Sequence, residues 1–138
     1  MSQTTTGLTG EYFAAGVVLS LGWRVSMCQQ DKVDLLAWKE DEYLRIQVKT
    51  AQLSGEKDGR TSVYHFQFGS GRKNKILPVK GDYDLLCLVG YQHRKALFMP
   101  VTEVLQYSKR LPPKLFDAPE AERASFFKAI EILREVRR

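Results

Sequence analysis

No apolar run in this chain approaches the ~20 residues that a bilayer-spanning helix needs, so no membrane segment is expected. Cysteine is scarce. Cys28 and Cys87 stand alone, with no CxxC pair and no metal-ligand spacing. Both fall in stretches that read as strand, so free thiols in a reducing cytoplasm are expected rather than a disulfide framework. The opening MSQTTTGLTG has neither a basic n-region nor a cleavage-type segment, so no secretory signal is visible. There is no internal repeat, no low-complexity tract and no sign of a second domain. The 138 residues suit a single domain, 1–138, with a real core.

What is present begins with charge. The formal net charge is +5, a balance that favours anionic partners. Its distribution is uneven. Between residues 50 and 80, Lys57, Arg60, Arg72, Lys73, Lys75 and Lys80 face only Glu56 and Asp58. The flanking parts of the chain are close to neutral. A solvated basic loop and an anion-binding segment both fit this excess.

The apolar pattern gives the order of elements. Residues 1–6 read as a polar tail. Thr9 is a helix cap for "GEYFAAGVVLSL", where Phe13, Val17 and Leu21 recur at four-residue spacing. Gly22 is a stop, and Gly16 inside the helix marks a place for close packing. Strands are expected at about Trp23–Cys28, Val33–Trp38 and Tyr43–Thr50, with "KEDE" as the last turn. In the third, Leu44, Ile46 and Val48 share one face; Tyr43, Arg45, Gln47 and Lys49 share the other. Thr61–Phe68 alternates as a strand, and "DYDLLCLVGY" and "KALFMPV" read as two more, the first in a buried central position. A short helix "TEVLQYSK", a proline-rich connection "RLPPKLFDAP" and a C-terminal helix over about 119–138 complete the chain. In that helix Phe126, Ile130 and Leu133 form the apolar stripe. This order predicts an α/β fold, a mixed sheet with helices packed on it.

Polar residues in the apolar strands point to chemistry. If the strands on either side of "KEDE" pair, Asp34 meets Gln47 and Lys49 in one patch. Carboxylate, amide and backbone carbonyl oxygens, the last from Val48, are hard ligands suited to Mg²⁺. A lysine beside them stabilises charge developing on a phosphate or orients an attacking water. Glu11, on the first helix, is a further carboxylate able to face the patch. Each residue also has a structural alternative. Asp34 can bond backbone at a strand end. Gln47 and Lys49 can lie on a solvated face, and Glu11 can serve the first turn of its helix.

Taken together, Glu11 in "GEYFAA", Asp34 in "KVDLLA" and "QVK" at 47–49 resemble the PD-(D/E)XK nuclease superfamily. The glutamine in Q-x-K is similar to that of certain homing endonucleases, more than to the Holliday junction resolvases, which usually have Glu-x-Lys. The resemblance implies a restriction-endonuclease-like core over about 7–105 with a β-hairpin extension. It implies a Mg²⁺-dependent endodeoxyribonuclease, with Mn²⁺ able to substitute. Asp34, Gln47, the Val48 carbonyl and Glu11 would lie around the metal and Lys49 near the water. The partner would be double-stranded or branched DNA, acted on by a homodimer or homotetramer. The alternatives are a Holliday junction resolvase and an inactive DNA-binding protein of the same fold. DNA contacts are expected from Ser70, Arg72, Lys73 and Lys75 in "GSGRKNK" and from Lys57 and Arg60 before them. A ribbon of Gln47–Gln52 and Thr61–Phe68 would offer Gln52, Ser54, His65 and Gln67 to base edges.

Overall fold

The computed structural model describes residues 3–30, 32–55, 62–68 and 81–137. Helix α1 spans Gln3–Ser20, so it begins well before the expected cap at Thr9. Threonines are mediocre helix formers, which is why 1–6 reads as a tail. Tertiary contact overrides that preference, because Thr6 is buried and its hydroxyl accepts a hydrogen bond from the Gln52 side-chain amide at 3.0 Å. The helix ends as expected. Gly22 takes φ +97°, and the Gly22 N–H returns to the Leu19 carbonyl at 3.0 Å.

Strands β1 (Arg24–Gln30), β2 (Val33–Lys39) and β3 (Glu42–Ala51) form an antiparallel meander. The period-two pattern of β3 holds: Leu44, Ile46 and Val48 are buried, and the intervening residues are not. Strand β6 (Leu85–Gly90) lies parallel to β3 and antiparallel to β7 (Lys95–Pro100). The sheet order is β1-β2-β3-β6-β7. Every residue of β6 is buried, the reason for its unbroken apolar run.

Helix α1 and helix α3 (Ala121–Arg137) cover one face of this sheet. Phe126, Ala129, Ile130 and Leu133 are the buried stripe of α3. The opposite face is covered by a small sheet of β4 (Leu53–Ser54), β5 (Val63–Gln67) and β8 (Ser108–Leu111), together with the short helix α2 (Lys114–Asp117). Tyr64, Phe66, Leu111 and Phe116 pack there against Tyr83, Leu86 and Leu88.

One expectation is corrected. "TEVLQYSK" is not a helix. A single 3₁₀ turn, Val101–Glu103, gives way to extended chain and then to β8. Of the expected ribbon, the described residues show its base, Leu53–Ser54 paired with Val63–Tyr64. Strand β5 pairs with only two residues of β4 and otherwise with β8, where His65 faces Arg110 and Gln67 faces Ser108. These pairings build the second layer.

A buried carboxylate and a capped edge fix the ends of the sheet. Asp84, 7% exposed, accepts from the Arg45 N–H at 2.7 Å and from the Arg45 and Arg137 guanidinium groups at 3.2 and 3.0 Å. One charge thereby ties β3, the start of β6 and the last turn of α3. At the β7 edge, the Ala96 and Phe98 N–H groups donate to Glu122 at 2.8 Å and Ser125 at 3.0 Å. Side chains of α3 thus occupy donors that an added strand would need.

Candidate active site

The site is built where β2 and β3 part. Their ladder runs from Lys39↔Glu42 to Leu35↔Ile46 and goes no further. Leu35 and Ala37 enter the core under α1, whereas Val33 packs on the opposite core. The alternation of β2 therefore breaks at Asp34. At the break, the Asp34 carboxylate itself accepts the Val48 N–H at 2.7 Å. A side-chain oxygen takes the place of the strand carbonyl that would otherwise satisfy that amide. Asp34 is thus a strand-end aspartate bonded to backbone, the structural alternative, and it is also held in register with the residues on either side of Val48.

Those residues are Gln47 and Lys49, both half-buried and both on the face of β3 opposite Leu44, Ile46 and Val48. Arg45 shares that face, but Asp84 engages it. The N–H and C=O of a strand residue point to the same side, so the Val48 carbonyl lies on the strand edge that faces Asp34.

Glu11 arrives from α1. Burial pushes its carboxyl up, and the Asp34 charge and a hydrogen bond to Asp34 push it further. Asp34 is also raised, chiefly by burial, against the opposing pull of the Val48 amide, the Lys49 charge and the Glu11 hydrogen bond. Two carboxyls this close cannot both ionise freely. Each carboxylate thus disfavours ionisation of the other, and both carboxyls are held above their ordinary range.

Three contacts from α1 set Glu11 in this position. Thr6 is bonded to Gln52, and Glu11 meets Asp34. Between them, the Gly10 backbone rests directly on Thr50 of β3: a Cβ at Gly10 would lie 1.8 Å from Thr50 Oγ1 and 2.9 Å from Thr50 Cβ. Only glycine fits there. Sequence reasoning missed Thr6, Gly10 and Thr50. The available signal was a glycine immediately before the candidate glutamate.

The raised Glu11 pKa has a consequence for stability. A folded pKa above the ordinary value of 4.5 means that the stabilising contribution is complete below 4.5 and lost as pH rises through the folded value. Glu11→Gln keeps a donor toward Asp34 and removes the titration. Thermal melts in EDTA should show the variant more stable than wild type by on the order of 2 °C at neutral pH. The two curves should converge below the ordinary glutamate range.

Among the expected DNA contacts, Gln52 is bonded to Thr6 within the chain. Ser54 and Gln67 are exposed and His65 is half-buried. His65 and Gln67 share an outward face with Arg110 and Ser108, which neighbour them across the strands. Lys57, Arg60, Ser70, Arg72, Lys73 and Lys75 lie outside the described residues. A cleft of about 880 Å³ lies at the far end of β3, lined by Glu42, Tyr43, Arg45, Asp84, Arg134 and Arg137. Its cations pair internally, Arg45 and Arg137 with Asp84 and Arg134 with Glu42. It contains none of the carboxylate–lysine chemistry.

Both cysteines are free thiols, Cys87 buried and Cys28 half-buried. Among the described residues no helix is long and apolar enough to cross a membrane. No group of three or more His, Cys, Asp or Glu side chains converges either. The oxygen donors brought together are the Glu11 and Asp34 carboxyls, with the Val48 carbonyl on the strand edge facing Asp34 and Gln47 one residue before it on β3. Two carboxyls pressed into hydrogen-bond reach favour a divalent cation as their common counter-charge, and all four donors are hard oxygens.

A family model for PD-(D/E)XK endonucleases matches residues 1–130. No curated protein sequence matches the chain. Among solved structures, the chain is similar to a bacterial homing endonuclease, I-Ssp6803I. The identity is 21% and the TM-score 0.68, with 80% of this chain and 78% of that chain covered.

Proposed function

The chain belongs to the PD-(D/E)XK endonuclease family, and from that premise we propose that it is a Mg²⁺-dependent endodeoxyribonuclease of the site-specific homing type, its 138 residues acting as one nuclease domain. The observation that carries the reading is the Asp34 carboxylate bonded to the Val48 N–H at 2.7 Å. That bond holds Asp34 beside Val48, the residue between Gln47 and Lys49, and supports a reading in which these residues and Glu11 serve one site. The Q-x-K pattern and the likeness to a structure titled as a homing endonuclease favour the homing type.

Asp34, Gln47, the Val48 carbonyl and Glu11 would hold the ion. When bound, Mg²⁺ supplies positive charge beside the scissile phosphate and eases deprotonation of the attacking water. The other steps belong to the chain. Asp34 and Glu11 supply the negative charge of the site, and their mutual crowding makes both harder to ionise than ordinary carboxyls. Lys49 orients the water for in-line attack and stabilises the extra charge on the phosphate oxygens. Gln47 orients through its amide oxygen without adding negative charge. The water loses a proton to solvent as its oxygen bonds the phosphorus, and the bond to the 3′-oxygen breaks, that oxygen taking a proton from solvent.

The test is cleavage of DNA libraries in the presence of Mg²⁺, with a titration of its concentration. Cutting of one long duplex site, abolished by EDTA and restored by Mg²⁺ or Mn²⁺, is the expected result. Cutting undiminished in EDTA would overturn the metal assignment. Preferential cutting of four-way junctions, whatever their arm sequence, would replace the homing type with a resolvase.

A further inference from the structure

Two cations flank the face of β3 that carries Gln47 and Lys49, each two residues before a member of the site. Arg45 precedes Gln47, and Lys32 precedes Asp34. Both engage the same short stretch, residues 81–84, but on different terms. Arg45 is locked. Its backbone N–H and two guanidinium nitrogens donate to buried Asp84, and the third nitrogen donates to the Gly81 carbonyl at 2.9 Å. Lys32 is held loosely. Its Nζ meets one oxygen of Asp82 at 3.4 Å, and 39% of its side chain is exposed. A charge-assisted bond of this kind ordinarily spans about 2.7–2.9 Å. Lys32 also sits in the left-handed region, φ +67°, in the tight turn between Gln30 and Val33. Asparagine and glycine suit such a turn better than lysine does. We propose that Lys32 is a DNA-phosphate contact at the mouth of the active site, and that Asp82 holds its ammonium group until a phosphate displaces it.

Position favours a phosphate role over a purely structural pairing. Two residues of extended chain span at most ~7 Å, which keeps Lys32 beside a site built on Asp34. Val33, between them, packs on the core that lies on the Gln47–Lys49 side of the sheet. Asp82 follows Gly81, which Arg45 reaches from that same side. The Lys32 ammonium group is therefore held on the side where Lys49 projects, away from α1. Two ammonium groups on one side of the carboxyls suit consecutive phosphates of one strand: Lys49 takes the scissile phosphate and Lys32 a neighbour. The exchange of partners is also favourable. A half-exposed lysine–carboxylate pair is weak, whereas a phosphate contact on duplex DNA adds the release of condensed counterions. Arg45 has no such freedom, because leaving Asp84 would strand a buried carboxylate. The inference rests on the nuclease reading in one respect, that the polyanion is DNA.

Anisotropy of a fluorescein-labelled duplex, measured with the full chain in EDTA, reads binding without cleavage. Phosphate contacts carry no sequence information, so a duplex of arbitrary sequence serves. Lys32→Asn removes the charge and gives the turn a residue it favours, so the melting temperature should hold or rise. Its binding should weaken about fivefold at roughly 0.1 M salt, the share of one phosphate contact. Asp82→Asn should tighten binding by about two- to fivefold, the strength of the pair it opens. That gain should vanish when Lys32→Asn is present as well. In the Asp82→Asn background, Lys32→Asn should also flatten the slope of log K against log salt by about 0.9. A gain from Asp82→Asn that persists without Lys32 would be an effect of net charge alone, and would overturn the proposal. So would equal affinities for Lys32→Asn and wild type. Both outcomes leave the nuclease reading standing. A wild-type chain that binds no duplex even at low salt would overturn that reading and this proposal together.

Discussion

Asp34→Asn should give a folded protein that does not cut DNA, with cleavage down on the order of 10³-fold or more. The asparagine side chain retains an oxygen for the Val48 N–H, so the 2.7 Å contact survives. It also removes one of two crowded carboxyls, and so relieves the burial cost that raises both pKa values. The melting temperature should therefore stay level or increase. Asp34→Ala should lose the same activity and should also be less stable, by about 1–3 kcal/mol, because the Val48 amide loses its acceptor. The pair of variants separates two roles of one side chain. If Asp34 is purely a strand-end acceptor, Asp34→Asn keeps full cleavage, and that outcome would remove it from the active site. Gel-based cleavage and thermal denaturation, run on the same preparations, read both.

Gly10→Ala should be strongly disruptive, because a Cβ there meets closer atoms than at the other glycines described. The added Cβ would sit 1.8 Å from Thr50 Oγ1, 2.9 Å from Thr50 Cβ and 3.1 Å from Thr50 Cγ2. Rotating Thr50 cannot clear all three, because its Cβ is fixed to the backbone of β3. The helix must lift. Overpacking of this kind costs about 1–3 kcal/mol, a fall of several degrees in melting temperature. The effect on activity should be larger than the effect on stability, since Glu11 is the next residue and moves with the helix. Cleavage should drop by about 10²-fold, in line with the cost of misplacing a reacting group by an ångström. Thr50→Gly in the same chain removes all the clashing atoms and should restore part of both. An unchanged Gly10→Ala protein would show that α1 does not bear on β3 as described.

Much of this architecture could be read before any coordinates. Strands β2, β3, β6 and β7 were legible because each combines apolar alternation, or a continuous apolar run, with clear turns. Asp34, Gln47 and Lys49 were legible because a carboxylate, an amide and an amine are out of place in such strands. What was missed depends on distant partners. Ser108–Leu111 forms a strand only because Val63–Gln67, over 40 residues earlier, supplies its ladder, and nothing local in "SKRL" announces that. The first turns of α1 were read as a tail because threonine propensity is poor, while Thr6 is held by Gln52 from another element. The helix over Lys114–Asp117 was hidden by Pro112 and Pro113, which precede it and suit a helix start as well as a loop. Gln52, expected to read bases, has its amide turned to α1.

The break in the β2–β3 ladder has one more consequence. Because the Val48 amide proton points at a carboxylate rather than at a neighbouring carbonyl, its magnetic environment follows the charge on that carboxylate. Protonation of the Glu11–Asp34 pair, or arrival of a cation between them, changes the acceptor of a single backbone N–H in an otherwise fixed sheet. The amide of Val48 is thus a built-in probe of site occupancy, one resonance that reports on the chemistry while the surrounding core stays silent.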